Sequence, residues 1–233
     1  MKNTSVKTGI VILGAGYSCR TGIDKIFYPL SGKPLLAWSV DICQKCNLID
    51  QIAIVLNDKN INKGKKLALD RDWSKVIKIC LGGSQRQDSV FQGIKHLKDC
   101  EWIIIHDGAR PFLTDDLIQN GLISAQETGS AAAAVPVTDT IKLSNYNNIV
   151  QTTLPRQYLW SVQTPQIFHF DIIAAAYKKI TENVTDDASI VEKCGYKVKL
   201  FLGSYNNIKI TTHKDLLLAK IIAKEKKNRC ELE

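Results

Sequence analysis

The chain has 233 residues, 45% hydrophobic and 23% charged, proportions that suit one large α/β domain with a well-buried core. Its net charge of +8, from 31 Lys and Arg against 23 Asp and Glu, allows anionic ligands, but the basic residues are not interleaved with aromatics, so a nucleic-acid partner is not expected. No apolar run reaches the length of a membrane span, the polar N-terminus lacks a signal-peptide core, and the seven scattered cysteines argue for free thiols in a reducing cytoplasm.

In chain order, the residues read as strands alternating with helices. Thr8 to Leu13 is a continuous apolar strand followed by a glycine loop. Pro34 to Cys43 reads as a helix with proline in its first turn, Gln51 to Leu56 as a strand, and Asn60 to Leu69 as a helix. Cys43-x-x-Cys46 has metal-ligand spacing but neither a second pair nor a nearby histidine, so zinc is not expected there. Val76 to Cys80 is a third strand, Gln87 to Leu97 a helix, and Glu101 to Ile105 a fourth strand. Thr114 caps a helix with Asp115 and Asp116 in its first turn, where the helix dipole favours acids. Ala131 to Val137 is a strand of small residues suited to close packing.

The rhythm then changes. Asp139 to Leu143 and Ile149 to Leu154 are extended runs around the turn cluster Ser144-Asn145-Tyr146-Asn147-Asn148, which predicts a β-arm over about 138–157 projecting from the sheet. Lys197 to Leu202 is a last strand before a terminal helix from Lys214, whose Lys220, Lys224, Lys226, Lys227 and Arg229 read as a solvated face. The alternation implies a single domain over 1–233, an α/β fold with an open, mainly parallel sheet that binds ligands at the carboxyl ends of its strands.

Four motifs fall at such ends. Gly14-Ala15-Gly16-Tyr17-Ser18-Cys19-Arg20 lacks the third glycine of a dinucleotide fingerprint and the Gly-Lys-Ser/Thr of a Walker loop. Alone it is an ordinary strand-to-helix turn; with Arg20 and Lys25 behind it, it becomes a phosphate cradle. Gly82-Gly83-Ser84-Gln85-Arg86 with Ser89 is either a capped turn or a backbone approach to a base. His106-Asp107-Gly108-Ala109-Arg110-Pro111-Phe112 ends a buried strand in a carboxylate, which is either satisfied by backbone amides or a ligand for a cation such as Mg²⁺. His106 beside it reads as structural, since a histidine next to an aspartate is not a triad. The fourth motif is Asn207-Ile208-Lys209-Ile210-Thr211-Thr212. Thr138-Asp139-Thr140, Arg156, Gln163-Thr164-Pro165-Gln166 and Thr185-Asp186-Asp187 each read alone as caps or turns, and together as a lining for a polyol phosphate, with Arg156 on the phosphate.

In order and spacing these motifs resemble those of the 2-C-methyl-D-erythritol 4-phosphate cytidylyltransferases of the non-mevalonate isoprenoid pathway, over nearly the whole chain. Further matching segments are Asp139-Thr140-Ile141-Lys142, Leu154-x-Arg156, Thr185-Asp186-Asp187-Ala188 and Asn207-Ile208-Lys209. Gly14 and Ser18 depart from the family's usual alanine and glycine, the Arg20–Lys25 interval is shortened, and Ser84 stands where an acidic residue is frequent. The resemblance implies a Rossmann-like nucleotidyltransferase fold, a twisted sheet with helices on both faces, and a homodimer clasped through the β-arm. It implies CTP and methylerythritol phosphate as substrates. Arg20, Lys25 and Lys209 would act on the triphosphate, and Asp107 on Mg²⁺ or another divalent cation. Ala15, Gly16, Gly82, Gly83, Arg86 and Ser89 would hold the nucleotide. Arg110, Thr140, Arg156, Thr164 and Thr185 would hold the acceptor, Thr140 and Arg156 from the neighbouring chain. A cytidylyltransferase acting on ribitol 5-phosphate is the nearest rival, and a nucleotide-binding protein without catalysis the rival of another class.

Overall fold

The computed structural model describes residues 6–16, 24–179 and 182–230. Its centre is a seven-stranded sheet of β1 (Thr8–Gly14), β4 (Gln51–Leu56), β5 (Val76–Leu81), β6 (Trp102–Asp107), β7 (Ser130–Pro136), β10 (Trp160–His169) and β11 (Lys199–Leu202), in the order β11-β7-β10-β6-β1-β4-β5. Two short strands, β2 (Pro29–Leu30) and β3 (Lys33–Pro34), form a separate hairpin, as do β8 (Lys142–Ser144) and β9 (Val150–Thr153).

Side-chain alternation along β1 divides the core in two. Ile10 and Ile12 face one side, packed with α1 (Leu35–Lys45), α2 (Ile61–Asp70) and α4 (Asp115–Thr128). Val11 and Leu13 face the other, packed with α3 (Arg86–Ile94), α5 (Phe170–Lys179) and α6 (Asp187–Lys193). Burial on both faces explains why these strands read as unbroken apolar runs. The last helix, α7 (His213–Cys230), packs Leu216, Ala219 and Ile222 on Leu30, Leu35 and Phe112 in a third cluster. Thr114 caps α4 as expected, accepting from the Leu117 N–H at 3.3 Å, and Gly129 closes it in a left-handed conformation with φ +80°.

One strand of the large sheet and two helices lie where the sequence predicts no such element, as does the short β2–β3 hairpin. Gln163-Thr164-Pro165-Gln166 is no turn; it lies inside β10, which runs antiparallel between β6 and β7. The β10–β7 register breaks between Val162 and Gln166, a bulge that leaves Pro165 outside the ladder and brings Thr164 and Gln166 into the buried layer. A proline and three polar residues hide a central strand from any reading by apolar periodicity. Helices α5 and α6 follow it; Thr185-Asp186-Asp187, which reads alone as a cap or turn and together with the other polar segments as a pocket lining, leads into α6, where Asp186 is the N-cap and accepts from the Ser189 N–H at 3.1 Å.

The arm is shorter than the extended runs suggested. The ladder covers Lys142–Ser144 and Val150–Thr153, the Leu154 N–H donates to the Ile141 carbonyl and the Asn145 N–H to the Ile149 carbonyl, both at 3.0 Å, beyond its two ends, and the Asn145 side-chain oxygen accepts from the N–H groups of Asn147 and Ile149 to make the turn. Leu143, Tyr146, Ile149 and Val150 are exposed on it.

Asp41 on α1 ties the hairpin and the α2–β5 connection to the first layer. Its carboxylate accepts from Lys33 at 2.6 Å, from Arg71 Nε at 2.9 Å and from the Trp73 indole N–H at 2.8 Å. Burial works to raise its pKa, but the bonds from Arg71, Lys33 and Trp73 outweigh it and hold the group below the usual carboxylate range. A depressed carboxylate contributes stability above its unfolded pKa and loses it as pH falls. Asp41→Asn is therefore expected to cost about 2 kcal/mol in urea unfolding at pH 7. The deficit should shrink below about pH 4, where the wild-type carboxylate protonates in the unfolded chain.

Candidate active site

The first two glycine motifs form opposite lips of one cleft at the carboxyl ends of β1 and β5. They touch each other. A Cβ on Gly82 would lie 2.5 Å from both Ala15 Cβ and Ser89 Oγ, so only glycine permits this approach. The Ser89 hydroxyl is spent on the same loop: it accepts from the Gly83 N–H at 3.1 Å and donates to the Gln85 carbonyl at 3.1 Å. Asp88 holds the next turn, accepting from the Ser84 hydroxyl at 2.8 Å and the Gln85 N–H at 3.0 Å.

Asp107 closes β6 at the back of this cleft. Lys209 Nζ lies 2.7 Å from its Oδ2, Arg86 Nη2 3.5 Å from its Oδ1, and Arg110 Nε 3.9 Å from its Oδ2. Burial alone would raise the Asp107 pKa. Arg86, Lys209 and Arg110 together overcome that and hold the carboxyl well below the usual range, so it is an anion at any working pH.

A buried chain of hydrogen bonds fixes this aspartate. Thr164 Oγ1 accepts from the Asp107 N–H at 3.0 Å and lies 3.2 Å from His106 Nδ1; His106 Nε2 lies 3.0 Å from the Arg110 carbonyl. The carbonyl can only accept, so Nε2 carries the proton and Nδ1 accepts from the threonine hydroxyl. Arg110 in turn donates from Nη1 to the Asn207 carbonyl at 2.6 Å, and Asn207 Nδ2 donates to the Thr164 carbonyl at 2.8 Å and Gln163 Oε1 at 3.2 Å. The unpredicted strand β10 thus fastens the Lys209 segment to the Asp107 turn. On the near side Lys25 donates to the Thr211 carbonyl, and the Ile210 N–H donates to the Ala109 carbonyl at 2.9 Å.

The cleft has a volume of about 490 Å³, and its walls include Ala15, Gly16, Lys25, Arg86, Asp107 and Lys209. It offers backbone of glycine loops, two lysines and an arginine, and one carboxylate. Among the described residues there is no group of three or more His, Cys, Asp or Glu side chains able to hold a metal by themselves. A cation beside Asp107 would need most of its oxygen ligands from a bound polyphosphate and water, the mode by which Mg²⁺ is commonly held. On that test the donor set fits a nucleotide-borne divalent ion.

The family profile for 2-C-methyl-D-erythritol 4-phosphate cytidylyltransferase matches residues 7–225. The chain belongs to this family. The enzyme of that name from Dehalococcoides mccartyi is 51% identical over 220 residues, covering 94% of this chain and 97% of the relative. The one from Alkaliphilus oremlandii is 42% identical, covering 97% and 99% respectively. Among solved structures, 4-diphosphocytidyl-2C-methyl-D-erythritol synthase from Anaerococcus prevotii superimposes with a TM-score of 0.85 at 28% identity, covering 94% of this chain and 99% of that one. The Thermus thermophilus cytidylyltransferase superimposes with a TM-score of 0.75 at 27% identity, covering 94% and 100%. The sheet of this chain is thus the nucleotidyltransferase sheet expected of the family.

The residues expected to act in a cytidylyltransferase are unevenly distributed. Ala15, Gly16, Lys25, Gly83, Arg86, Ser89, Asp107 and Lys209 line one cleft, with Gly82 packed behind Ala15. Arg20 lies outside the described residues, with the other departures of the first loop beyond Gly16. Arg110 and Thr164 stand behind Asp107, engaged with Asn207 and with Asp107 itself. Thr185 is exposed just before α6. Thr140 and Arg156 are exposed at the base of the arm, where Arg156 Nη1 donates to the Thr138 carbonyl at 2.8 Å. Tyr177, whose hydroxyl donates to buried Asp187, escaped notice because nothing local to α5 announces a polar partner.

Burial pushes the His106 imidazole down to about 4, against smaller upward pulls from the Arg110 carbonyl and Asp107. The unfolded chain, with an ordinary histidine near 6.5, therefore binds more protons than the folded one between pH 6.5 and about 4. Stability is expected to fall by up to about 1.4 kcal/mol per pH unit across that window from this group. NMR of the imidazole carbons should find His106 still neutral at pH 5.5; a charged His106 there would contradict the buried hydrogen-bond chain.

Proposed function

We propose that this chain, a nucleotidyltransferase by family, joins CTP to 2-C-methyl-D-erythritol 4-phosphate, giving 4-diphosphocytidyl-2-C-methyl-D-erythritol and pyrophosphate. The observation that carries the reading is the meeting of Lys25, Arg86, Asp107 and Lys209 around one cleft between two glycine loops.

The acceptor phosphate attacks the α-phosphorus of CTP in line with the departing pyrophosphate. A phosphate monoester is mostly dianionic at pH 7, its second pKa being about 6, so no general base is required. The difficulty is that an anion approaches an anion, and fixed positive charge at the nonbridging and leaving oxygens relieves it. Lys25, anchored on the Thr211 carbonyl, and Lys209, anchored on Asp107, supply such charge, with Arg20 as a third cation on the first loop. Asp107 and the phosphates would hold a divalent cation such as Mg²⁺, which when bound would screen charge on the triphosphate. Arg86 and the Gly82-Gly83 turn, braced by Ser89, would seat the cytidine. Thr185, exposed just before α6, would face the acceptor, with Thr164 and Arg110 acting from behind Asp107, and Thr140 and Arg156 would be contributed across the interface of a homodimer. An isolated two-stranded hairpin is marginal in water, and the exposed Leu143, Ile149 and Val150 favour burial of the arm against a second subunit. Such a dimer would work in the cytoplasm on small anionic substrates.

Pyrophosphate release with CTP, ATP, GTP or UTP, against methylerythritol phosphate or ribitol 5-phosphate at equal concentration, tests the substrates directly. Turnover confined to CTP with methylerythritol phosphate is expected; equal or faster use of ribitol phosphate would reassign the acceptor. Lys25→Ala and Lys209→Ala should each lower kcat on the order of 10²–10³, as loss of one preorganised electrostatic contact does, with the fold intact. A well-folded Lys209→Ala variant with near-normal turnover would remove the role given to that lysine.

A further inference from the structure

Arg86 lies between two carboxylates and serves them unequally. Its Nη1 is 2.8 Å from Asp187 Oδ2, whereas its Nη2 is 3.5 Å from Asp107 Oδ1. Asp187 is fully buried at the first position of α6, and it is held there from several sides. The Tyr177 hydroxyl donates to its other oxygen, and Phe91 stacks on the Tyr177 ring with centroids 6.0 Å apart. Gln166 on β10 clamps the start of α6, accepting from the Ala188 N–H at 2.9 Å and donating to Asp186 at 2.8 Å. None of these contacts reaches the cleft, and the mechanism above makes no use of Asp187.

A guanidinium with a single carboxylate in reach closes on it through two parallel hydrogen bonds. Around Arg86 the described carboxylates in ion-pair range are Asp187 and Asp107. Lys209 already occupies Oδ2 of Asp107 at 2.7 Å, so a full swing of Arg86 onto Oδ1 would close both oxygens with protein cations. We infer that Asp187 is a positioning residue for the cation site: by drawing the Arg86 guanidinium to itself, it keeps Oδ1 of Asp107 open to a nucleotide-borne divalent ion. This rests on the reading of Asp107 as the cation's protein ligand. Asp187 also begins the helix that follows Thr185, so the same contact links the acceptor-side loop to the nucleotide side.

The test uses the full chain and Mn²⁺ as the probe, titrated by calorimetry or by the electron paramagnetic resonance of free Mn²⁺, with CTP saturating for each variant. Asp187→Asn, which keeps shape and removes charge, is expected to weaken Mn²⁺ binding about tenfold, and adding Arg86→Gln should restore it to within about twofold of the wild type. A lowered melting temperature with unchanged Mn²⁺ affinity would mean that Asp187 is only a structural partner of Arg86, and would overturn the proposal. Failure of Arg86→Gln to restore affinity would overturn it too. Should Asp187→Asn not fold, the double variant, in which both charges are gone, decides: affinity at or above wild type supports the proposal and a clear loss refutes it. An Asp107→Asn control that binds Mn²⁺ as tightly as the wild type removes the premise. Because Mn²⁺ binding in the presence of CTP needs no acceptor, the outcome is separate from pyrophosphate release by the wild type, which judges the proposed reaction.

Discussion

The positive charge of this cleft converges on one buried carboxylate, Asp107. Lys209 and Arg86 approach Asp107 from segments far apart in the chain, and Arg110 from three residues on in the same turn. Without that anion, Lys209 and Arg110 would be crowded at the end of a hydrophobic sheet beside Arg86, whose remaining carboxylate partner is Asp187. Without the cations, a carboxylate at the end of a buried strand would protonate rather than stay charged. On the proposed function, a triphosphate entering the cleft would draw on Lys25 and Lys209 and leave the aspartate to a divalent cation.

The sheet makes this balance rigid. β6 ends at Asp107, and beside it β10 runs the opposite way, so that its bulge delivers Thr164 to the Asp107 N–H and its carbonyl to Asn207. The polar residues buried in this bulge find partners on neighbouring segments, Gln163 on Ser204 and Asn207, Thr164 on Asp107, His106 and Asn207, and Gln166 on Asp186 and Ala188, which is what makes burying them tolerable. Preorganisation of this kind matters for a reaction in which the protein has little covalent chemistry to perform and acts mainly by holding charge in place.

Much of this was legible in the residues. Unbroken runs such as Ile10-Val11-Ile12-Leu13 and Trp102-Ile103-Ile104-Ile105 announced parallel strands buried on both faces, and the glycine motifs fall where the cleft opens at the carboxyl ends of β1 and β5. Asp107 and Lys209 stood out because each follows such a strand or lies in a motif of fixed order. What stayed hidden has a common cause. β10 carries a proline and polar side chains in a bulge that hydrogen-bonds to Asp107 and Asn207, and a strand of that composition breaks the pattern by which strands are recognised. Ser89 and Thr164 carried the right chemistry, yet their hydroxyls turn inward to hold backbone groups, a distinction of direction that sequence spacing does not encode. The Tyr177–Asp187–Arg86 contact joins three elements and leaves no trace in any one of them.

The most direct test of the charge balance is calorimetric binding of CTP, without metal, to the wild type and to Asp107→Asn. If Asp107 restrains cationic groups that a triphosphate in the cleft would otherwise meet, Lys209 first among them, the variant should bind metal-free CTP more tightly, by about tenfold or about 1.4 kcal/mol. Equal or weaker binding by a folded Asp107→Asn protein would mean that these cations do not meet the triphosphate, and the shared cleft would lose its explanation.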